Sequence, residues 1–396
     1  MGTREERLDL MAELDAIVDL GRRAPGSDAE RRTAQHLQQR LQALGRTAET
    51  EQLAIYPAWP LAYALLAAAA VGASVLAVYV PVAGAALALL TALLTFLDAG
   101  MLIPTVRRLL GRRASQNVVS WGDRDKPGDI FLVAHYDAGR AGLAHSDRAA
   151  RRRAAVSGLL RRPVGALQLL FWAELGVLAC ALLRLVGLDG TALTAVQFVP
   201  TLVLIVAIAL LTDVALAGTR AGENDNASGT VLVLRLAERL GTGLEHFGLH
   251  VLFTGAGEAS AAGIGSFIKR DDLSHDSTVF LNVDQVGSGD VRYTRREGAL
   301  LSSRTHPQLL SLSEGIDDAM PIVSRSTSDA SAATGAGFAA LTVTCRDRLD
   351  YASGRVDEDA LERAEAFCIE LIERLDAEVG PSLVAPVEAT ALSDPD

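Results

Sequence analysis

The chain has 396 residues, of which 49% are hydrophobic and 21% charged. That is too apolar for an ordinary soluble enzyme and too charged for a pure membrane bundle, so a soluble domain joined to membrane-spanning helices is expected. The net charge of −11, with no basic surface interleaved with aromatics, speaks against nucleic acid as a partner, and three cysteines without CxxC spacing exclude a disulfide framework or a zinc–thiolate site.

Leu8, Met11, Leu14, Ile17 and Val18 recur at helical spacing, as do Ala34, Leu37, Leu41 and Leu44. Two amphipathic helices are predicted, with Gly26-Ser27 as the turn and cap between them, and a strand over 48–56 follows. The composition then changes abruptly. Residues 61–80 carry no charge, and 82–106 carry only Asp98. A second pair, 164–188 and 191–216, is interrupted by Glu174 and Arg184 and reaches Asp213 near its end. Each run is close to the roughly 20 residues that cross a bilayer. Their length and near-continuous apolarity set them apart from buried core helices, so four membrane helices in two hairpins are expected. Arg107, Arg108, Arg112 and Arg113 follow the first hairpin, while Arg148, Arg151, Arg152, Arg153, Arg161 and Arg162 precede the second. The hairpin tips hold only Arg184. The positive-inside rule therefore places the termini and the soluble part on the cytoplasmic side. Asp98 and Glu174 are read as interfacial carboxylates, or as partners of arginines within the bundle.

The remainder alternates strands and helices: strand 130–134, helix 228–240, strand 249–254, helix 259–269, strand 278–283, strand 341–344 and a closing helix 357–375. This predicts the α/β class, with a mixed, mostly parallel sheet flanked by helices and two inserted transmembrane helical hairpins. The chain divides into residues 1–56 (N-terminal helices and first strand), 57–110 (first hairpin) and 114–162 (a first stretch of the soluble domain). Residues 163–218 are the second hairpin, 219–379 the rest of the soluble domain, and 380–396 a disordered tail.

Four polar fragments lie at predicted strand ends or before a helix: FLVAHYD (131–137), GENDNASG (222–229), FTGAGE (253–258) and LNVDQVG (281–287). Ligands of open α/β sheets bind at the carboxyl ends of strands. His135, Asp137, Glu258 and Asp284 stand at such ends, and Asp225 opens a helix. One imidazole with several carboxylates suits a divalent metal such as zinc. Asp137, two residues beyond His135, is placed to steady it. Singly, each has a plainer reading, as a hydrogen-bonded histidine, a helix cap or a surface carboxylate.

Taken in order, AHYD, NDNASG, TGAGE and LNVDQVG resemble the signature of metallopeptidase family 28, the di-zinc aminopeptidases and carboxypeptidases. The resemblance runs from about Asn117 to Leu375 and extends to the N-terminal helices. It implies a zinc-dependent exopeptidase fold in which His135 and Asp284 hold one Zn2+, Asp225 bridges both ions, Glu258 holds the second and Asp137 supports His135. Membrane hairpins are additions to the family core. Two departures stand out. Relatives carry two consecutive glutamates, the first a general base and the second a ligand, where this chain has Gly257-Glu258. On that register Gly257 marks a missing general base. If the register slips by one, Glu258 is the base and Ala259 the lost ligand. Relatives also place a histidine before the final helix. Here Ala352 stands in that region, with Asp347, Asp350 or Tyr351 as possible substitutes, and no histidine follows His306.

Three functions follow as expectations. The first is a membrane-anchored zinc exopeptidase acting on peptides through a metal-activated water, with one or two Zn2+, integral to a bacterial inner membrane. The second is a catalytically impaired pseudopeptidase that has lost zinc and binds a peptide or a membrane partner. The third is a transport module, for which the spans lack clustered polar residues. Glu223 is a candidate replacement base. His145, His246, His250, His275 and His306 lie outside the ligand positions. Oligomeric state has no signature in the sequence.

Overall fold

The computed structural model describes residues 8–160, 163–241, 243–346 and 354–383. Helix α1 (Leu10–Asp19) starts at Asp9, whose carboxylate accepts from the Met11 and Ala12 amides. Helix α2 (Asp28–Ala43) is capped by Ser27, which accepts from Glu30 N at 3.1 Å, the stop-and-start that Gly26-Ser27 predicts. Strand β1 (Glu49–Ile55) leads into α3 (Trp59–Tyr79) and α4 (Pro81–Ala99). The chain re-enters the sheet as β2 (Arg113–Ser120) and β3 (Gly128–His135). It leaves again through α5 (Asp147–Leu160), α6 (Ala166–Leu185) and α7 (Thr191–Leu216). Then come α8 (Ser228–Leu240), β4 (Phe247–Thr254), α9 (Ala262–Arg270) and β5 (Thr278–Val283). The last third runs β6 (Asp290–Glu297), β7 (Ser303–Arg304), α10 (Pro307–Glu314), β8 (Met320–Ser324), α11 (Asp329–Gly335), β9 (Ala339–Arg346) and α12 (Glu358–Arg374).

The strands form one mixed sheet in the order β1-β2-β4-β3-β5-β9-β6-β7, with β8 also on β6. Its centre, β4-β3-β5-β9, is parallel, and the strands outside it join antiparallel at β2 and β6. Both faces of the centre are covered, so its strands are continuously apolar rather than alternating. Ile130, Leu132 and Ala134 of β3 pack with Ile17, Leu37, Val231, Leu234 and Leu361 beneath α1, α2, α8 and α12. Phe131 and Val133 point to the opposite side, against Ile264, Phe267, Phe280 and Ala330.

The helix expected from 259 begins three residues later. Ala256, Ser260 and Ala261 adopt left-handed backbone conformations (φ 56°, 69° and 51°), so residues 257–261 turn tightly instead of coiling. Nor does disorder begin at 380: Leu383 is buried and its amide donates to Asp276 O at 2.8 Å. The rest of that expected tail, 384–396, lies outside the described residues.

Helices α3, α4, α6 and α7 are each long and apolar enough to cross a membrane. They pack into one bundle whose interior is lined by Tyr63, Leu66, Ala67, Ala70, Val177 and Leu204. Small residues allow close approach: a Cβ on Gly84 would lie 2.3 Å from Ala77 Cα. The outer faces leave Leu65, Val75, Leu89, Leu93, Trp172, Phe198 and Val199 exposed, an apolar belt unsuited to water. Asp98, in the last turn of α4, accepts from Tyr63 Oη at 2.9 Å and pairs with Arg107 Nε at 3.1 Å. Arg107 also donates from Nη1 to Ser260 Oγ at 2.7 Å and to Ala259 O at 3.3 Å. The foot of the first hairpin is thus fastened to the loop after β4. Glu174 accepts from Thr95 Oγ1 at 3.0 Å inside the bundle.

Candidate metal centre

Parallel pairing brings the carboxyl ends of β3, β4 and β5 side by side, and with them the residues that follow. His135 is the last residue of β3, Asp284 follows β5, and Glu258 sits in the turn after β4. Asp225 arrives from the turn Glu223–Ala227 before α8, where the Asp225–Asn226 peptide is cis. The flanking asparagines of NDNASG stitch this turn to the end of β5. Asn226 donates from Nδ2 to Val283 O at 2.9 Å and accepts from Gln285 N at 2.9 Å. Asn224 accepts from Gly287 N at 2.8 Å.

Asp137 is the organising carboxylate. It has no exposed surface and accepts from Gly257 N at 2.7 Å and Glu258 N at 3.0 Å. His135 Nδ1 lies 3.2 Å from Asp137 O and 3.3 Å from its Oδ1. Both are acceptors, so Nδ1 carries the proton and Nε2 presents its lone pair to the site. Nε2 is 3.6 Å from Asp284 Oδ1 and 3.9 Å from Asp225 Oδ1. These separations are long for hydrogen bonds but near those between two donors sharing an ion with bonds of about 2.0–2.2 Å. Asp284 Oδ1 is buried and finds no hydrogen-bond partner among the described residues. Ligand atoms of His135, Asp225 and Glu258 also lie within 4.8 Å of one another. An orphaned Asp284 oxygen beside an oriented imidazole, with the carboxylates of Asp225 and Glu258 close by, fits a divalent ion, and this mixed nitrogen–oxygen set suits zinc.

The charges are uneven. Burial works against ionisation of Asp225, but Arg220 and His135 hold its carboxyl below the usual carboxylate range. Its Oδ2 accepts from Arg220 Nη2 at 2.5 Å, and its Oδ1 from Gln285 Nε2 at 3.0 Å. Arg346 in turn donates to Gln285 Oε1 at 2.7 Å. Burial and the neighbouring Asp225 push Glu258 up to about 8. Burial would lower His135, yet the carboxylates of Asp137 and Asp284 facing it raise it well above the ordinary imidazole value, so an ion binding there displaces a proton from Nε2.

His135, Asp137, Asp225, Glu258 and Asp284 therefore come together. Gly257, the position read as a missing base, is closely enclosed: a Cβ there would lie 2.5 Å from His135 Cβ and 2.6 Å from its Cγ. A side chain at 257 has no room unless the imidazole moves. Ala259, the lost ligand on the slipped register, packs with Leu53, Ile55 and Ala256. Of the three residues 257–259, only Glu258 sends a side chain into the centre. We expect Gly257→Ala to displace His135 and to weaken metal binding about 10–100-fold, the range for disturbing a ligand's support. Isothermal titration with Zn2+ checks this, and an unchanged affinity would mean that His135 is not a ligand.

Glu223 is exposed and outside the trio of close ligand atoms. Asp347, Asp350, Tyr351 and Ala352 lie outside the described residues. His145, His246 and His275 bond to backbone carbonyls of Arg140, Asp376 and Ala336, and His250 lies between Gly122 N and Asp129. Sequence reasoning missed Arg220, Arg23, Glu30 and Asp329. Arg23 is fully buried, donates to Tyr136 O and Gly222 O, and is pulled down to about 10 by burial. Glu30 accepts from Ala256 N, Ser115 Oγ and Gly26 N. Asp329 accepts from Thr254 Oγ1, and burial pushes it up to about 6. A charged residue inside an otherwise ordinary helix or loop gives no sequence signal of being buried.

Residues 210–363 match the family model of Peptidase family M28. Among solved structures, the chain resembles a Zn-dependent exopeptidase from Parabacteroides distasonis at 12% identity, covering 92% of this chain and 96% of that one with a TM-score of 0.51. A zinc aminopeptidase from Bacillus subtilis is also 12% identical, with 96% and 98% covered and a TM-score of 0.51. For a leucine aminopeptidase precursor from Bacteroides thetaiotaomicron the figures are 12%, 94% and 99%, and 0.50. At this identity the likeness is one of fold. No curated protein sequence matches the chain.

Proposed function

Because the chain belongs to Peptidase family M28 through residues 210–363, we propose that it is a membrane-anchored zinc hydrolase that removes residues from the ends of peptides. The observation that carries this reading is the orphaned Asp284 Oδ1 facing His135 Nε2 at 3.6 Å, with Asp225 Oδ1 at 3.9 Å from the same nitrogen. His135, Asp225 and Asp284 would hold the ion. Zinc bound there supplies Lewis acidity and a more acidic water. Asp137 fixes the imidazole and, through the Gly257 and Glu258 amides, the turn that carries Glu258. Glu258 then takes the proton from the attacking water and passes it to the departing amine. The names of the structural neighbours, a zinc aminopeptidase among them, support cleavage at peptide ends.

The four apolar helices anchor this domain in a bacterial inner membrane. The arginines flanking the hairpins, Arg107, Arg108, Arg112 and Arg113 after the first and Arg148, Arg151, Arg152 and Arg153 before the second, favour a cytoplasmic site. A pseudopeptidase is the second reading. It is favoured by the Arg220–Asp225 bond and by the absence of any histidine after His306. The full chain, purified in detergent, distinguishes the two by zinc content and by release of chromophore from aminoacyl anilides. We expect bound zinc and turnover. Neither zinc nor turnover would leave the pseudopeptidase.

A further inference from the structure

Resting on the zinc reading above, the geometry points to Arg220 as a built-in replacement for a second metal ion, so that this chain binds one divalent cation where a bridging carboxylate would otherwise serve two. Bridging needs both oxygens of Asp225. Oδ1 faces His135 and Gln285, but Oδ2 is taken by Arg220 Nη2 at 2.5 Å. The other carboxylate on that side, Glu258, lies near the same guanidinium. Arg220 Nη2 and Glu258 Oε1 lie 2.6 and 2.9 Å from the point that a Cβ on Gly139 would occupy. One guanidinium thus stands beside both carboxylates that a second ion would need, and its positive charge opposes one.

The placement is built into the backbone. Arg220 N donates to Gly139 O at 2.9 Å, Ala141 N donates to Gly218 O at 2.8 Å, and Arg140 bridges Thr219. These bonds clamp the segment leaving α7 onto the segment after β3, so the second hairpin itself delivers Arg220. Gly139 leaves the space the guanidinium crosses. Arg23, fully buried and bonded to Gly222 O at 2.8 Å, adds a second positive charge behind Asp225. An arginine carries a fixed charge at all accessible pH and cannot be exchanged by chelation. The arrangement therefore keeps Asp225 neutralised on one side while leaving its other side for a single ion.

The test is a Co2+ titration of the metal-stripped full chain in detergent, followed by visible absorption and equilibrium dialysis. Wild type is expected to break at one equivalent. Arg220→Met removes the charge and is expected to break at two, the second binding more weakly. Arg220→Lys keeps the charge and is expected to stay at one, which also separates loss of charge from loss of fold. Two equivalents in wild type or in the lysine variant would overturn the inference while leaving the metal site standing. One equivalent in the methionine variant, with folding intact, would overturn it as well. No binding by any of the three would instead remove the zinc reading on which it rests.

Discussion

Replacing Glu258 with glutamine is expected to lower kcat/KM by about 10²–10⁴-fold, the range for loss of general-base assistance, while zinc stays bound. The turn 257–259 leaves no other candidate. Gly257 abuts His135, Ala259 is buried against Leu53 and Ile55, and only the middle residue faces the centre. Its amide is pinned to Asp137 Oδ2 at 3.0 Å, so the side chain has a fixed origin. Burial beside Asp225 makes the carboxyl a reluctant acid, pushed up to about 8. Such a group accepts a proton more readily than a surface carboxylate does. The sign for pH follows: the ionised form is the working one, so the rate climbs as pH rises through its ionisation. In Glu258→Gln that climb should vanish together with most of the rate. Zinc analysis of the same variant decides between two roles. Retained zinc with lost turnover marks a base, whereas lost zinc marks a ligand, as the resemblance had implied.

What the sequence disclosed and what it hid divide along a physical line. The centre of the sheet was readable because β3, β4 and β5 are buried on both faces and must be continuously apolar. Where such a run ends in His135, Asp284 or the Glu258 turn, the polar residues stand out against it. The part of the chain that forms the sheet beyond β9 and the helix α11 was not readable. Strand β6, DVRYTRRE, carries three arginines, β7 is two residues long, and α11 is seven residues of small side chains. None has a period that a sequence can display. The four apolar helices declared themselves by length, but their joining into one bundle depends on small faces such as Gly84 against Ala77. Within the site, residue types were legible and directions were not. Gly257 looks like an omission when positions are counted, yet the backbone aims its missing Cβ at an imidazole. Arg220 is five residues from Asp225 and shows no sign of its bond until the backbone pairing of 139–141 with 218–220 is known.

Asp225→Ala is expected to abolish the effect of zinc on stability. A ligand that binds only the folded state stabilises it by about 2.7 kcal/mol at a hundredfold excess over Kd, and wild type should show a thermal shift of that size on adding zinc at that ratio. Asp225 is the residue for this test because it joins the imidazole to the charged and polar groups around it. Its Oδ1 faces His135 and Gln285, its Oδ2 holds Arg220, and Asn226 beside it anchors the turn to β5. Removing the carboxylate frees Arg220, whose side chain is already 40% exposed and can turn to water. The bonds of Asn224 and Asn226 to Gly287 N and Val283 O do not involve the lost group, so the turn should keep its shape. The zinc-free unfolding temperature of the variant should therefore stay near that of wild type, while its response to zinc disappears and turnover falls with it. Asp225→Asn sharpens the result. The amide keeps the volume and can still accept a hydrogen bond, but it carries no charge to hold a divalent ion or to pair with Arg220. If either variant kept the full zinc-dependent shift, the ion would have to sit elsewhere, and Asp225 would be a partner of Arg220 alone.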